Sequence, residues 1–185
     1  GTSGLAQRDN TLEWHRCAVC GRDGDALHRI GVAAGGGLGA QHDIVFQTAD
    51  TTWHAYNGWG GANLYGGNAT ASGDGRAFKV SYNRPIGTRD AIGTYAGPQD
   101  FVFSAEYAAI RWLERNGYDV CYVTGVDTGP RNVPLTNYQV FMSVGHDEYW
   151  SGEQRAHVAA ARDAGVHLVF ISGNEVYWKV RWEPD

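Results

Sequence analysis

An open, mainly parallel α/β sheet with helices on both faces is the fold this sequence predicts, on three observations. Short, apolar, β-rich runs recur at 43–48, 118–123, 138–144 and 166–171. Helical periodicity fills 102–116 and 152–164 between them. Strands that alternate with helices form parallel sheets, because each strand is reached through a crossover on a sheet face. Ionisable residues follow the run 138–144 at once, in Gly145-His146-Asp147-Glu148. Open α/β sheets bind ligands at that position, where loops leave the carboxyl ends of strands.

Residues 1–42 carry no sustained period of two or 3.6, and Ala33–Ala40 is almost entirely Gly and Ala. This segment reads as a linker or arm preceding the domain at 43–185. Cys17 and Cys20 form a lone Cys-x-x-Cys flanked by His15 and His28, without the second pair a zinc ribbon needs. Asp43–Thr48 suits a buried strand. It leads into Ala49–Gly75, a stretch of Gly, Asn, Thr and aromatics that reads as a long structured loop. Arg76–Tyr82 alternates as an edge or hairpin strand would, and Asn83-Arg84-Pro85 closes it.

The helix at 102–116 places Val102, Glu106, Ala109, Ile110 and Leu113 on one face, and Gly117 stops it. Glu106 is the anomaly, a carboxylate inside an apolar stripe. Such a group is costly to bury unpaired, so donors should surround it, or it should stand at a pocket rim. Thr124–Asn137 is long enough for a parallel crossover, although Pro130 and Pro134 argue against a long helix there. Ser151 with Gln154 forms a capping-box pattern that opens the helix at 152–164, and Gly165 ends it. The strand ends then bring Thr48–Tyr56, Thr124–Asp127, Gly145–Glu148 and Ser172-Gly173-Asn174 to one edge, with Glu106 and Tyr107 in the first turn of their helix beside them. Polar groups from separate loops converging on one edge make a small-molecule site.

The chain has 185 residues and a net charge of −5, with 15 basic and 20 acidic side chains and no Lys/Arg run. That balance argues against nucleic acid and anionic membrane surfaces as partners. There is no signal-peptide pattern, which favours the cytoplasm. Dinucleotide binding fails because Gly35-Gly36-Gly37-Leu38-Gly39 precedes a strand instead of following one, and a P-loop is absent. Covalent catalysis has weak support: Cys121 falls inside a strand, no G-x-S-x-G occurs, and Ser172 is the one serine at a strand-end turn that keeps that option open. A metal site fits better. His146, Asp147 and Glu148 are hard or borderline ligands, and Tyr56, Tyr65, Tyr95 and Tyr107 add phenols near the same edge. Phenolate and carboxylate oxygens suit a hard, highly charged cation such as ferric iron.

Four motifs occur in order: Asp50-Thr51-Thr52-Trp53-His54-Ala55-Tyr56-Asn57-Gly58-Trp59-Gly60-Gly61, then Glu106-Tyr107 with Arg111-Trp112-Leu113-Glu114, then Gly145-His146-Asp147-Glu148-Tyr149-Trp150-Ser151, then Ser172-Gly173-Asn174. Together, from Asp43 to Pro184, they resemble the large-subunit catalytic domain of the N,N-dimethylformamidases. The resemblance implies a flavodoxin-like or glutamine-amidotransferase-like core. It also implies a mononuclear ferric site held by two tyrosines and one glutamate, and hydrolysis of the C–N bond of a small amide. Tyr56 matches the tyrosine of the Trp-x-x-Tyr-Asn motif and Glu148 the glutamate of the His-Asp-Glu motif. His146 and Asn174 match polar residues beside the metal. Tyr107 is the expected second phenol, from its place at the active edge, with Tyr95 and Tyr65 as alternatives. Glu106 joins His146 and Asn174 as an expected catalytic-edge residue. A small partner subunit and a homo-oligomer are implied for the full-length protein.

Two departures qualify the resemblance. Residues 5–42 differ from what precedes this core in relatives, apart from a trace in Gly1–Gly4, and a frame-shifted reading would account for Cys17 and Cys20. The chain also stops at Asp185, where relatives continue, so a fragment is expected. The competing reading is a non-catalytic α/β module whose aromatic loop binds carbohydrate or a partner domain. Metal content separates the two.

Overall fold

A computed structural model describes residues 42–67, 75–85, 102 and 105–183 of the chain. The expectations for residues 1–41, including Cys17 and Cys20, and for Tyr95 lie outside the described residues. Four strands build the sheet: β1 (Ile44–Gln47), β2 (Val120–Val123), β3 (Val140–His146) and β5 (His167–Gly173). Their order is β2-β1-β3-β5 and every pairing is parallel. The open parallel sheet expected from the alternation is therefore present. A second, two-stranded parallel sheet pairs β4 (Tyr149–Ser151) with β6 (Trp178–Val180).

Parallel sheets need cover on both faces, and β1 shows why. All four of its residues are buried. Ile44 and Phe46 point to one side, with Val120, Tyr122 and Val144, against Ile110 and Leu113 of α2 (Ala105–Arg115). Val45 points to the other, with Val123 and Phe141, against Val158 and Ala161 of α4 (Gly152–Asp163). Phe46 and Phe141 are fully buried, and each such side chain contributes about 1.5–3 kcal/mol through loss of apolar surface. β5 is one edge of the sheet, where Phe170 and Ile171 remain exposed.

The helix ends follow their local chemistry. Ser151 Oγ accepts from the Gln154 amide at 3.1 Å while the Gln154 side chain accepts from the Ser151 amide, closing the capping box at α4. Gly117 and Gly165 end α2 and α4 with φ of 73° and 102°, values that glycine adopts without steric cost.

Two expectations are revised. Within the stretch read as a loop, Asp50–Tyr56 forms a helix, α1. Its paired threonines and aromatics are poor helix formers, and its N-cap, Ala49, supplies no side-chain cap. The helix is instead held from outside: Glu106 Oε1 accepts from the Ala49 amide at 2.5 Å. Arg76–Tyr82 forms no strand. It runs as irregular chain tied to the loop after α1 by the Ala77 amide, which donates to the Asn63 carbonyl at 2.7 Å. The crossover from β2 to β3 holds a short helix, α3 (Gly125–Thr128), and a 3₁₀ turn (Leu135–Asn137).

Candidate metal and amide site

The carboxyl ends of β1 and β3 set the site. Register places Gln47, the last residue of β1, beside Ser143 of β3. Gln47 Nε2 and Ser143 Oγ both donate to Asp147 Oδ2, at 2.7 and 2.9 Å. Asp147 is thereby pulled into the sheet end and fully buried, while His146 before it stays exposed. Glu148 follows and is buried as well, its amide donating to Thr52 Oγ1 at 3.0 Å. Residues 174–178 close the turn from the far side. The Val176 amide donates to the Asp147 carbonyl at 3.1 Å, and the Trp178 amide to the Glu148 carbonyl at 2.7 Å.

Helix α1 brings Tyr56 to Glu148. Thr52 and Tyr56 are one turn apart and share a helix face, so the threonine that accepts from the Glu148 backbone also aims the tyrosine at its side chain. The Tyr56 hydroxyl donates to the Glu148 carboxylate and is hydrogen-bonded to the Tyr149 hydroxyl. Burial, with the adjacent carboxylate, raises the Tyr56 phenol far above its usual range. Burial first and the Glu148 charge second raise Tyr149 to about 12. The Tyr65 ring lies 5.2 Å from that of Tyr56, and the Tyr149 ring packs edge-on to it at 5.8 Å. Three oxygens, from Tyr56, Glu148 and Tyr149, are thus linked, with a third phenol alongside.

Tyr107 stands on the exposed side of α2, where its hydroxyl accepts from Arg111 at 3.3 Å. His146, at the end of β3, packs over Gly173 of β5: a Cβ on that glycine would come within 3.1 Å of His146 Nε2. Asn174 follows with a left-handed φ of 52°, which asparagine tolerates better than most residues. His146 and Asn174 therefore leave adjacent strand ends, near the turn that carries Glu148.

Glu106 is only 2% exposed and serves the N-terminus of α1 through Ala49. It also accepts from Trp53 of that helix, and burial raises its carboxyl well above the usual range. Asp50 is the fold's other buried anchor at this edge. It accepts from Thr48 Oγ1, the Gly125 amide and the Tyr82 hydroxyl, at 3.0, 2.7 and 2.5 Å, so it joins α1 to α3 and to the chain at 81–83. Burial raises Asp50 to about 6.

Gln47, Thr52, Ser143 and Tyr149 belong to this site although the sequence did not single them out. Tyr149 was the most accessible of them, being the next residue in the His-Asp-Glu motif. Thr52 could have been found from its four-residue spacing to Tyr56, had the helix been recognised.

Among the described residues, no three His, Cys, Asp or Glu side chains converge as a metal site, and no helix is long and apolar enough to cross a membrane. The fold and the ordered motifs define an open α/β domain with a phenol- and carboxylate-rich strand edge. The family described as N,N-dimethylformamidase beta subunit-like, C-terminal, matches residues 22–185, and the chain belongs to it. That match begins upstream of Asp43, where the motif resemblance starts. No curated protein matches the chain.

Proposed function

We propose that this domain is a metal-dependent amidohydrolase that cleaves the C–N bond of a small amide of the formamide type. The observation that carries the reading is the hydrogen-bonded set of Tyr56, Glu148 and Tyr149 oxygens in a domain of this family. The donor set fits mononuclear ferric iron. Two phenols and a carboxylate are hard oxygen donors whose combined charge, once ionised, offsets a trivalent cation. Burial and the Glu148 carboxylate raise both phenols, and a ferric ion bound there would take the place of their protons. Tyr56 and Glu148 are the ligands carried over from the family motifs. Tyr149 replaces Tyr107 as the second phenol in our reading, because its hydroxyl already bonds to Tyr56 and that of Tyr107 to Arg111.

Bound there, ferric iron would supply Lewis acidity toward an amide carbonyl and toward water. The chain's own groups supply the rest. His146, exposed at the end of β3, takes or relays a proton between water and the leaving nitrogen. Asn174 offers an amide donor to the carbonyl oxygen as negative charge develops on it. Glu106 and Thr52 touch no reacting atom in this scheme. They are positioning residues that hold α1, and with it Tyr56, against Glu148. The family's description as beta subunit-like supports an assembly with a second subunit.

Release of dimethylamine from N,N-dimethylformamide by iron-depleted and iron-restored protein is the test. Activity that returns with iron and falls at least tenfold in His146→Ala agrees with the proposal. Equal activity with and without metal would overturn it.

A further inference from the structure

A groove of about 1340 Å³ opens where the chain at 76–83 faces β6 and the residues after it. Its lining includes Tyr65 and Tyr149, the two rings packed on Tyr56. A formamide-sized molecule would leave almost all of this space unfilled, since sites of ~300–1,000 Å³ already take drug-sized ligands. Its walls are largely apolar and aromatic, with Leu64, Phe78, Val80, Val126, Trp178 and Trp182 along them. Its charge runs against that of the whole chain. The chain carries −5, yet Arg76, Lys79, Lys179 and Arg181 line the groove against the single carboxylate of Glu183. Glu183 pairs with both Lys79 and Arg181, each at 2.8 Å. Both Arg76 and Tyr149 line the groove, and the Arg76 charge acts on the Tyr149 hydroxyl. Cationic groups set in low-dielectric walls concentrate anions.

We infer that the substrate is an extended, anionic amide: an N-acylated amino acid, with its carboxylate near Arg76 and Lys179 and its apolar acyl chain along the aromatic wall. This inference rests on the amidohydrolase reading: it keeps C–N hydrolysis at the same site and extends the substrate from a small formamide to a longer, acidic amide. Hydrolysis adds water across the C–N bond. The acyl carbon gains the hydroxyl and leaves as a carboxylic acid, and the nitrogen gains the proton and leaves as the free amino acid. No oxidant or other co-reactant is required.

The experiment compares four amides with the full chain loaded with iron: N,N-dimethylformamide, N-acetylglycine, N-dodecanoylglycine and the methyl ester of the last. Binding of N-dodecanoylglycine and of its ester is followed in parallel through Trp178 and Trp182 fluorescence, which needs no turnover. The expected result is a kcat/KM for N-dodecanoylglycine at least about tenfold above that for its ester, with the acetyl compound lower through a higher KM. The fluorescence titration should show the same order, and Arg76→Ala and Lys179→Ala should each reduce the acid-to-ester ratio. Dimethylformamide cleaved as well as N-dodecanoylglycine, with no acid-over-ester preference in binding, overturns the inference and leaves the amidohydrolase reading standing. Selective binding of the acid with no hydrolysis of any amide overturns that reading and keeps the groove's specificity.

Discussion

Asp50, Glu106 and Asp147 place three carboxyl groups in a water-poor space at the carboxyl end of the sheet. Burial raises all three, Asp50 to about 6 and the other two well above their ordinary range. A carboxyl whose folded pKa exceeds its unfolded one binds more protons when folded. Its stabilising contribution is present in full below the unfolded value and is lost as pH rises through the folded one. For Asp50 the window is pH 4 to 6, and the shift from 3.8 to about 6 is worth about 3 kcal/mol. His54 works in the opposite sense. Burial, then the Arg84 charge, lowers it to about 3, so its contribution is lost as pH falls from 6.5 toward 3. Asp50→Asn keeps one acceptor and removes the titration. Thermal melts should show this variant gaining on the parent as pH rises from 4 to 6. A constant difference across that range would mean that Asp50 does not titrate there. Glu106 yields a sharper split. Glu106→Gln retains an acceptor for the Ala49 amide, whereas Glu106→Leu strands that donor and the partner on Trp53. The leucine variant should lose at least tenfold in kcat with a modest change in Tm, and glutamine should restore most of it. Higher stability with unchanged kcat in Glu106→Leu would reduce Glu106 to a tolerated carboxylate.

At the scale of elements, α1 is the piece that the rest of the site depends on, and it is the piece the sequence concealed. The four main strands and the helices α2 and α4 were legible because apolar periodicity, glycine stops and the Ser151–Gln154 box are local signals. Asp50–Tyr56 lacks those signals. Its stability comes from Glu106, far along the chain, and from Asp50 bonding to Gly125. For the same reason Glu106 was recognisable as an anomaly while its partner was not. Tyr56, Glu148, His146 and Asn174 are named from their motifs, and Tyr107 from its place in a first turn; the direction of the Tyr107 ring, toward Arg111, is not a property the sequence carries. β4 and β6 were missed because each has only three residues and pairs across a long gap. Two substitutions test these elements separately. Ser151→Ala removes the α4 cap and should cost about 1 kcal/mol in denaturant unfolding without altering metal content. Thr52→Val keeps the side chain's shape and removes the acceptor for the Glu148 amide. It should weaken iron binding more than it lowers Tm, and Thr52→Ser should restore it; equal metal affinity in all three proteins would show that the turn holds Glu148 without α1.

Across the whole molecule, the sheet edge and the groove divide the work. The edge gathers acidic and phenolic oxygens from α1, α2 and the turn between β3 and β4, and the groove beside it carries basic and aromatic side chains. A basic groove on an acidic chain concentrates anions at that groove. The most direct test of the central claim, that phenols and Glu148 hold ferric iron here, is the visible absorption spectrum of the iron-loaded protein and its variants. Phenolate bound to ferric iron produces a charge-transfer band. The account predicts that Tyr56→Phe and Tyr149→Phe shift or abolish this band, that Tyr107→Phe leaves it in place, and that Glu148→Ala binds no iron. A colourless, iron-free protein that hydrolyses amides, or a band untouched by both Tyr56→Phe and Tyr149→Phe, would contradict it.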